Sequence, residues 1–584
     1  MTHISKNPTI TGFALSGILA FTLAAGGCVS NPFGKDPLDK HTVVSADRLR
    51  SINALILEQS PEMMDGTAPE QTIQETLEEA RERFAGVERV DLSIDNARLS
   101  TIANNLGLSA TLISPTIAKE RVTEEESKFE AIFTLSASVA NNDNATASSL
   151  SGGQSTSRSI TPGITIPLRT GGSLSVTLPV SRFETDNSFS FLNPSYTTDL
   201  NFSLSHNLLR GAGRRAATHS IRLAEYDRQI SEVQSKLEVI RTLADVDRAY
   251  WRLYASTRAL EVVEQQHAVA FAQLERAQRK ERAGTGTQVD VIRAQSGVAD
   301  RVEQIIRAQN DLQLQERAIK VLLNLPGLDA NSPTHFELTS SPDPVEYAFD
   351  AEGLAESAID NRAELLDLEL QLARDAANIA FAENQKLPLV ALQYNYRVNG
   401  LGGTLDNSFD TLGRNNFENW SVGLNAEVPI GNEQRKASLA QTILTRLQRL
   451  STRDAREQSI TREVYDAVDQ LSSTWNRILA TREAVELSAR VLEAEQRQFN
   501  VGRSTTTDVL DADSNLANAR LTEIRAIVDY QIAQIDLAIS TGTLLGQSKV
   551  DWEPSDPRDE EGSEARALEG VTPYRPGSGI IRNP

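Results

Sequence analysis

Three aspartates fall within six positions of the segment "FNVGRSTTTDVLDAD", residues 499 to 513. Gly502 can end a helix in a left-handed conformation, and Thr505 with Asp508 has the spacing of a capping box that starts the next helix. Asp511 lies one turn further on, too deep in the helix to cap it. Capping therefore accounts for Asp508 but not for Asp511.

The chain contains a second copy of this turn in "ERAGTGTQVDVIRAQ", residues 281 to 295. Thr287 and Asp290 repeat the capping-box spacing. The residue that corresponds to Asp511 in this copy is Arg293. The two turns are therefore expected to differ in charge, one acidic and the other mixed.

No enzymatic site emerges from the sequence. The six histidines are scattered, the chain has one cysteine, and neither a nucleophile-elbow motif nor a zinc-helix motif is present. The segment "RGAGRRAA" from Arg210 imitates a dinucleotide-binding fingerprint, but a helical pattern continues through Tyr250 where a second strand would be needed. With 79 acidic and 58 basic residues, the composition also argues against a nucleic-acid partner. We expect no catalysis, no cofactor and no metal site.

The N-terminus has the pattern of an export signal. Lys6 precedes an apolar run of about 16 residues from Ile10 to Ala25, shorter than a membrane-spanning helix. The segment "LAAGGC" resembles a bacterial lipobox, so residues 1–27 are predicted to be a signal peptide and Cys28 the lipidation site of a partly helical segment over 28–94. An ordinary signal peptide with an incidental cysteine is the alternative. No second apolar run of helix-spanning length occurs, so a closed β-barrel is the form in which the chain would cross a membrane.

An internal repeat organises the rest of the chain. Moving residues 245–325 forward by 218 positions aligns Gly284 with Gly502 and Asp290 with Asp508 without a gap. Each copy has a run of about 70 residues without Gly or Pro, which predicts a helix of about 100 Å. The predicted segments are a first repeat over 95–330 with helices at 214–282 and 288–325, a linker over 331–350, a second repeat over 351–546 with helices at 433–500 and 506–545, and a disordered acidic tail over 547–584 that is rich in Pro and Gly.

Segments with period-two alternation of apolar and polar residues lie between the helices of each repeat. They span residues 129–139 and 196–204 in the first repeat, and 392–398 and 420–428 in the second. Segments of about ten residues with one apolar face are typical of outer-membrane strands. The first repeat has an additional hairpin over about 160–187, whose strands meet at "RTGG".

Three segments together carry a family resemblance: "VGRSTTTDVLDADSNLANAR" at a helix turn, "NQKLPLVALQYNY" entering a strand and "VGLNAEVPIG" leaving one. With the ungapped repeat, they resemble the TolC-type outer-membrane efflux proteins over roughly residues 95–546. The resemblance implies an α+β membrane protein. In it a homotrimer shares one twelve-stranded outer-membrane β-barrel, four strands from each chain, continued by a long periplasmic α-helical barrel.

The same resemblance implies a passive, lipid-anchored exit duct of a tripartite efflux or type I secretion system. Its partners would be a periplasmic adaptor protein, an inner-membrane pump and outer-membrane lipid. The additional hairpin departs from the family pattern, and would add strands, plug the lumen or cap the outer mouth. A lipid-anchored periplasmic coiled-coil scaffold or adaptor without a pore is the alternative function.

The resemblance further implies roles for residues at the two helix turns. The turns would form the periplasmic tips that dock the adaptor, through Gly284, Thr285, Gly286, Thr287, Gly502, Ser504 and Thr505. The periplasmic gate would comprise Asp508, Asp511, Asp290, Arg503 and Arg293. In the family an aspartate matching Asp290 bonds to a Tyr and an Arg of the other hairpin. This chain has Phe499 and Ser504 there, and Arg503 or Arg293 is the candidate to replace the missing Arg.

Overall fold

The computed structural model describes residues 89–146 and 152–550. The predicted signal peptide, Cys28 and most of the predicted acidic tail lie outside the described residues. No helix within the two described ranges has both the length and the apolar character that a membrane crossing requires.

The first repeat runs from short helices through strands to two antiparallel helices. Its elements are β1 (Arg89–Leu92), α1 (Ile94–Asn104), α2 (Leu106–Leu112), α3 (Ser114–Ser127), β2 (Ile132–Asp143), β3 (Gln154–Leu168), β4 (Gly172–Thr177), β5 (Val180–Thr185), β6 (Ser195–Asn207), α4 (Arg214–Ala217), α5 (His219–Arg282) and α6 (Gln288–Leu323).

The second repeat has the same order with fewer strands. A short strand precedes it within the predicted linker. The elements are β7 (His335–Leu338), α7 (Ala351–Asn361), α8 (Ala363–Gln385), β8 (Leu389–Gly402), α9 (Leu405–Gly413), β9 (Glu418–Glu427), α10 (Glu433–Asn500), α11 (Thr506–Ser540) and α12 (Leu544–Gln547).

Several boundaries differ from the sequence prediction for local reasons. β2 begins at Ile132, not at 129, because the Phe129 N–H still donates to the Glu126 carbonyl at 3.1 Å as the preceding helix ends. The long helix α5 begins at His219 after Thr218 leaves the helical conformation with φ −99° and ψ 25°. The last long helix ends at Ser540, before Gly542 turns left-handed with φ 73°.

Two helical hairpins dominate the molecule. The 64 residues of α5 and the 68 residues of α10 correspond to about 96 Å and about 102 Å of helix at 1.5 Å per residue. The helix α5 packs along α6, and α10 packs along α11, while α11 also contacts α5. Apolar residues at helical spacing line these contacts. Helices in proteins are stabilised mainly by packing one apolar face against a neighbouring element.

The largest apolar cluster lies where the short helices meet the middle of the hairpins. Leu243, Tyr250 and Ile319 are fully buried in it. A two-stranded parallel sheet, β1 with β7, closes the cluster from Arg89 opposite His335 to Leu92 opposite Leu338. The hydroxyl of Tyr250 accepts from the Ser340 N–H at 3.0 Å and lies 3.2 Å from the Leu92 carbonyl. This hydroxyl therefore links α5 to the chain on both sides of the small sheet.

A second, antiparallel sheet joins the strands of both repeats. Its order is β2-β3-β4-β6-β8-β9, and β5 continues the line of β4 by also pairing with β3 and β6. The register aligns Phe202 with Tyr396 and Tyr396 with Trp420, whereas Asn201 aligns with Arg397 and Arg397 with Asn419. Directly paired residues point to the same side of a sheet. The sheet consequently has one apolar face and one polar face.

The additional hairpin lies inside this sheet. Its strands β3 and β4 meet at residues 169–171, where Gly171 has φ 95°. A Cβ at Gly171 would stand 2.1 Å from the Gly211 carbonyl oxygen, so this turn needs glycine for space as well as conformation. Of the three roles open from the sequence, the structure assigns the hairpin the first, because it adds strands to the sheet.

Candidate functional site at the helix tips

The two helix turns have closely similar backbones. Gly284 and Gly502 follow the ends of α5 and α10 with φ of 73° and 76°. The Thr285 N–H donates to the Lys280 carbonyl, and the Arg503 N–H donates to the Gln498 carbonyl, each at 2.9 Å. These bonds satisfy carbonyls that the helix end leaves open. The left-handed glycines predicted from the sequence are confirmed.

A capping box starts the helix that follows each turn. In the first, the Asp290 carboxylate accepts from the Thr287 N–H at 3.1 Å and from its hydroxyl at 2.7 Å. In the second, Asp508 accepts from the Thr505 N–H at 2.8 Å and from its hydroxyl at 2.7 Å. These hydrogen bonds hold the pKa of both aspartates below the ordinary value. Both capping boxes were predicted from the Thr-x-x-Asp spacing, and both are confirmed.

An additional side-chain hydrogen bond joins the second tip to its own helix. The Ser504 hydroxyl lies 2.7 Å from the Glu495 carboxylate and 3.3 Å from that of Asp508. Ser504 occupies the position where the family resemblance implies an Arg that reaches the other hairpin. Here its hydrogen bonds stay within α10 and the start of α11. Within the described residues, neither Ser504 nor Asp290 hydrogen-bonds to the opposite hairpin.

The remaining aspartates of the cluster point in different directions. Asp511 is exposed on α11, like Asp508. Asp513 is 5% exposed, and one of its carboxylate oxygens has no hydrogen-bond partner among the described atoms. Burial raises the pKa of Asp513, although Arg301 and Arg520 oppose the shift. Sequence spacing groups the three aspartates, but the structure separates two exposed carboxylates from one buried carboxylate.

The two candidate gate arginines are both exposed. Arg293 lies one turn beyond Asp290, and its positive charge contributes to the lowered pKa of that aspartate. Among the described residues, the Arg503 side chain has no hydrogen-bond or ion-pair partner. Neither arginine side chain thus supplies a hydrogen bond between the two hairpins in a single chain.

A cation–π contact joins the tips instead. The Lys280 ammonium of α5 lies 3.8 Å from the centre of the Phe499 ring of α10, and the Phe499 side chain is 7% exposed. This pair was not predicted from the sequence, although the repeat offset of 218 makes Lys280 equivalent to Gln498, the neighbour of Phe499. A hydrogen-bonding Tyr is not required for such a contact, because any aromatic face attracts the cation.

The same contact borders a cavity of about 310 Å³ between the tips. Its walls carry the positive charges of Arg276, Arg279 and Lys280, together with Phe499 and Asn500. Arg279 lies 3.5 Å from the Glu275 carboxylate, which offsets part of this charge. The end of the first hairpin is therefore basic, whereas the start of α11 carries Asp508 and Asp511.

No group of three or more His, Cys, Asp or Glu residues in the described ranges is arranged to hold a metal ion. The arrangement at the tips instead offers two turns of closely similar shape that differ in their charged residues. Each turn is capped by its own hydrogen bonds, and a cation–π contact joins the two. The capping hydrogen bonds of each tip do not depend on the other hairpin.

Comparison with known proteins agrees with this architecture. A family model for outer membrane efflux protein matches residues 173–325 and 354–543. The chain is similar to the outer membrane protein TolC of Vibrio cholerae, with 26% identity over 316 residues that cover 52% of this chain and 68% of that protein. It is 23% identical to the TolC of Escherichia coli over 371 residues, 60% of this chain and 71% of that protein. A crystal structure of CusC has the same fold, with a TM-score of 0.59, 16% identity, and coverage of 78% of this chain and 92% of that chain.

The cation–π contact between the tips is testable by a double-mutant cycle. We expect Lys280→Met and Phe499→Leu each to weaken the local closed state by about 0.5 to 2 kcal/mol, because each removes one half of the interaction. Hydrogen exchange of the tip amides should then accelerate by about twofold to thirtyfold, and the double variant should add little further acceleration. Lys280→Arg, which keeps the cation, and Arg276→Met, which removes a neighbouring charge, serve as controls. Full additivity of the two single changes would contradict the contact.

Proposed function

We propose that this chain, which belongs to the outer membrane efflux protein family, is the outer-membrane exit duct of a tripartite efflux or type I secretion system. The family match carries the proposal, because it spans both long helical hairpins together with strands β4 to β6 and β8 to β9. A duct of this kind is a passive conduit. Energy for transport would come from an inner-membrane pump, reached through a periplasmic adaptor.

The two faces of the large sheet support a wall between lipid and water. Phe202, Leu204 and Val422 lie on the apolar face, and Asn201, Ser203 and Ser421 lie on the other. Strands of outer-membrane proteins alternate in this way, with apolar residues toward lipid and polar residues toward the lumen. We assign the apolar face to the outer-membrane lipid and the polar face to the pore of a trimeric β-barrel.

The open edges of the sheet support association of copies, and the number three is taken from the family resemblance. The sheet of a single chain does not close on itself, because β2 and β9 each have one neighbouring strand in the described ranges. Exposed strand edges are not tolerated in hydrocarbon, where each unpaired backbone group costs several kcal/mol. Association of copies removes these edges, and the long hairpins would then form the periplasmic α-helical barrel.

We place adaptor docking at the helix tips. Thr285, Gly502 and Thr505 are exposed there, and the tight turns present backbone and small side chains to a partner. The gate would lie just inside the tips, at Asp508 and Asp511 with Asp290, Arg293 and Arg503 around them. Three copies would bring six carboxylates of Asp508 and Asp511 into one ring, and such rings favour cations.

Lipidation at Cys28 completes the proposal. Cys28 follows the apolar run and is the chain's sole cysteine. One lipid chain gives only marginal membrane binding, so the anchor would assist a protein already inserted through its sheet.

Pore formation is tested in planar bilayers with one matched pair of variants. Purified protein should insert and give discrete conductance steps, whereas a scaffold without a pore would give none.

Leu424→Arg places a charge on the apolar face and should reduce the amount of inserted trimer through a cost of about 2 to 4 kcal/mol per copy. Asn425→Arg, one residue along the same exposed strand, should insert normally because it faces the lumen. Equal loss from both substitutions would contradict the assigned faces, and absence of conductance from the unmodified protein would contradict the duct.

The gate is tested by the double change Asp508→Asn and Asp511→Asn. Asparagine keeps the size and can still accept the capping hydrogen bond, so the variant should assemble normally. It should lose cation selectivity and block by multivalent cations added from the periplasmic side. The control is Asp466→Asn with Asp469→Asn, an exposed pair of the same spacing on α10 away from the tip. Unchanged selectivity and block in single-channel recordings would refute the ring and leave both aspartates as surface residues.

Lipidation is decided by mass spectrometry of the mature N-terminus. We expect the chain to begin at Cys28 and to carry the mass of an attached lipid. An unmodified Cys28, or cleavage at another residue, would remove the anchor from the proposal while leaving the duct unaffected.

A further inference from the structure

The additional hairpin changes the number of strands that each copy brings to the membrane. The strands β4 and β5 occupy one position between β3 and β6, interrupted at Leu178 and Pro179. Hydrogen bonds bridge the interruption, from the Leu178 N–H to the Pro162 carbonyl at 2.9 Å and from the Asp199 N–H to the Pro179 carbonyl at 3.0 Å. The sheet therefore has six strand positions: β2, β3, β4 with β5, β6, β8 and β9.

The inserted strands share the facing of the rest of the sheet along β4, whereas Arg158, Arg182 and Glu184 lie on this same side further along β3 and β5. One register row crosses all six positions on the apolar side, through Phe133, Ile164, Val176, Phe202, Tyr396 and Trp420. The adjacent row on the polar side contains Thr134, Gly163, Thr177, Asn201, Arg397 and Asn419. A hairpin that plugged a pore or covered its mouth would not need an apolar face whose residues pair in register with the apolar residues of the neighbouring strands. The two added positions therefore belong to the wall.

The two edge strands lack the features that normally prevent edge pairing. β2 contains no charged residue before Asp143 and no proline, and β9 carries charge only at its ends, Glu418 and Glu427. Monomeric proteins commonly protect their edges with lysine, proline or inward-pointing charges. Both strands are also exposed along their whole length, with Phe133 at 55% and Trp420 at 67%. Both edge strands therefore have the features of strands that pair with a further strand.

Strand direction makes a second copy the fitting partner. All pairs along the path from β2 to β9 are antiparallel, and the five steps leave β2 and β9 running in opposite directions. When β9 of one copy lies beside β2 of the next, the antiparallel alternation continues without interruption. The 12 residues of β2 and the 10 residues of β9 are also similar in length.

We propose that three copies close a single eighteen-stranded barrel, with β2 of each copy paired antiparallel to β9 of the next. This rests on the trimeric duct proposed above and departs from the twelve strands that the family resemblance implies. With strands about 4.8 Å apart and tilted by about 40°, the distance across the barrel between backbones is roughly 36 Å for eighteen strands and roughly 24 Å for twelve. The outer-membrane part of the duct would thus offer about twice the cross-section to a cargo.

Disulfide cross-linking in the full-length protein tests each part of the proposal. Pairs of lumen-side cysteines, one from Thr134, Ser136 or Ser138 in β2 and one from Asn419, Ser421 or Asn425 in β9, are oxidised with copper phenanthroline in outer membranes. At least one register should give covalent dimers and trimers on denaturing gels. The internal pair Ser203→Cys with Asn395→Cys, directly paired in β6 and β8, should close within one chain and give no multimers.

Two further internal pairs report whether the hairpin is part of the wall. Ser138→Cys with Ser159→Cys links β2 to β3, and Thr177→Cys with Asn201→Cys links β4 to β6. Both should form within one chain in assembled trimers. If β2–β9 multimers form but these internal links do not, the eighteen-stranded barrel is overturned while the trimeric duct survives. If no β2–β9 pair gives multimers while the internal links form, the shared barrel itself is overturned.

The width of the barrel is tested with a shortened chain that lacks the additional hairpin. β2 ends and β6 begins at the same end of the sheet, so replacing residues 144–194 by a short turn should pair β2 with β6 and leave four strand positions per copy. Maleimides on polymers of graded size are then applied from outside to Asn395→Cys on the polar face. The largest polymer that reacts with the full chain should be at least about 1.5-fold wider than the largest that reacts with the shortened chain, because side chains narrow both lumens by a similar amount. If both proteins assemble and admit polymers of the same largest size, the wider barrel is overturned. If the shortened chain does not assemble, the disulfide cross-links described above test the number of strands.

Discussion

Backbone hydrogen bonding at the edges of the large sheet is the constraint on which the rest of this structure depends. A single chain leaves one side of β2 and one side of β9 unpaired, and hydrocarbon provides no partner for those N–H and C=O groups. In the proposed trimer, strands of other copies would complete these edges. Each copy would also bring its two helical hairpins, so closure in the membrane would set the arrangement of the helices below it.

The tips of the two hairpins are stabilised separately from the large sheet. Each turn is fixed internally by a left-handed glycine and a Thr–Asp capping box, whose hydrogen bonds do not cross to the other hairpin. Between the hairpins lie the contact of Lys280 with Phe499 and a cavity with basic walls. A cation–π contact is weaker and less directional than a network of charged hydrogen bonds. The tips of the two hairpins are consequently joined by the Lys280–Phe499 contact and by the packing of Leu510 against the apolar cluster that contains Val298 and Val302, without a network of charged hydrogen bonds.

Features set by neighbouring residues could be predicted from the sequence. The long run without Gly or Pro between Gly431 and Gly502 predicts a helix over 433–500, and these are its bounds in the structure. The capping boxes depend on residues three apart, and the sheet faces on residues two apart, so both are visible in one short segment. The predicted contrast between the tips also has a local cause in Arg293 and Asp511.

Features set by distant residues could not be predicted in the same way. β1 and β7 pair across 246 residues of sequence through strands of four residues, too short to show a period. The helix α9 between β8 and β9 was not predicted; it packs so closely on β8 that a Cβ at Gly400 would stand 2.3 Å from the Ser408 carbonyl oxygen. The sequence located the extra hairpin but left its role open, because only the long-range register shows which strands it separates.

Cryo-electron microscopy of the detergent-extracted assembly, viewed along its axis, tests the central claim most directly. The claim is that copies of this chain complete one another's sheet. It predicts a particle with threefold symmetry in which β2 of each copy lies beside β9 of the next copy in a continuous wall. A particle in which β2 and β9 of the same chain pair with each other, or in which both edges stay open, would contradict it.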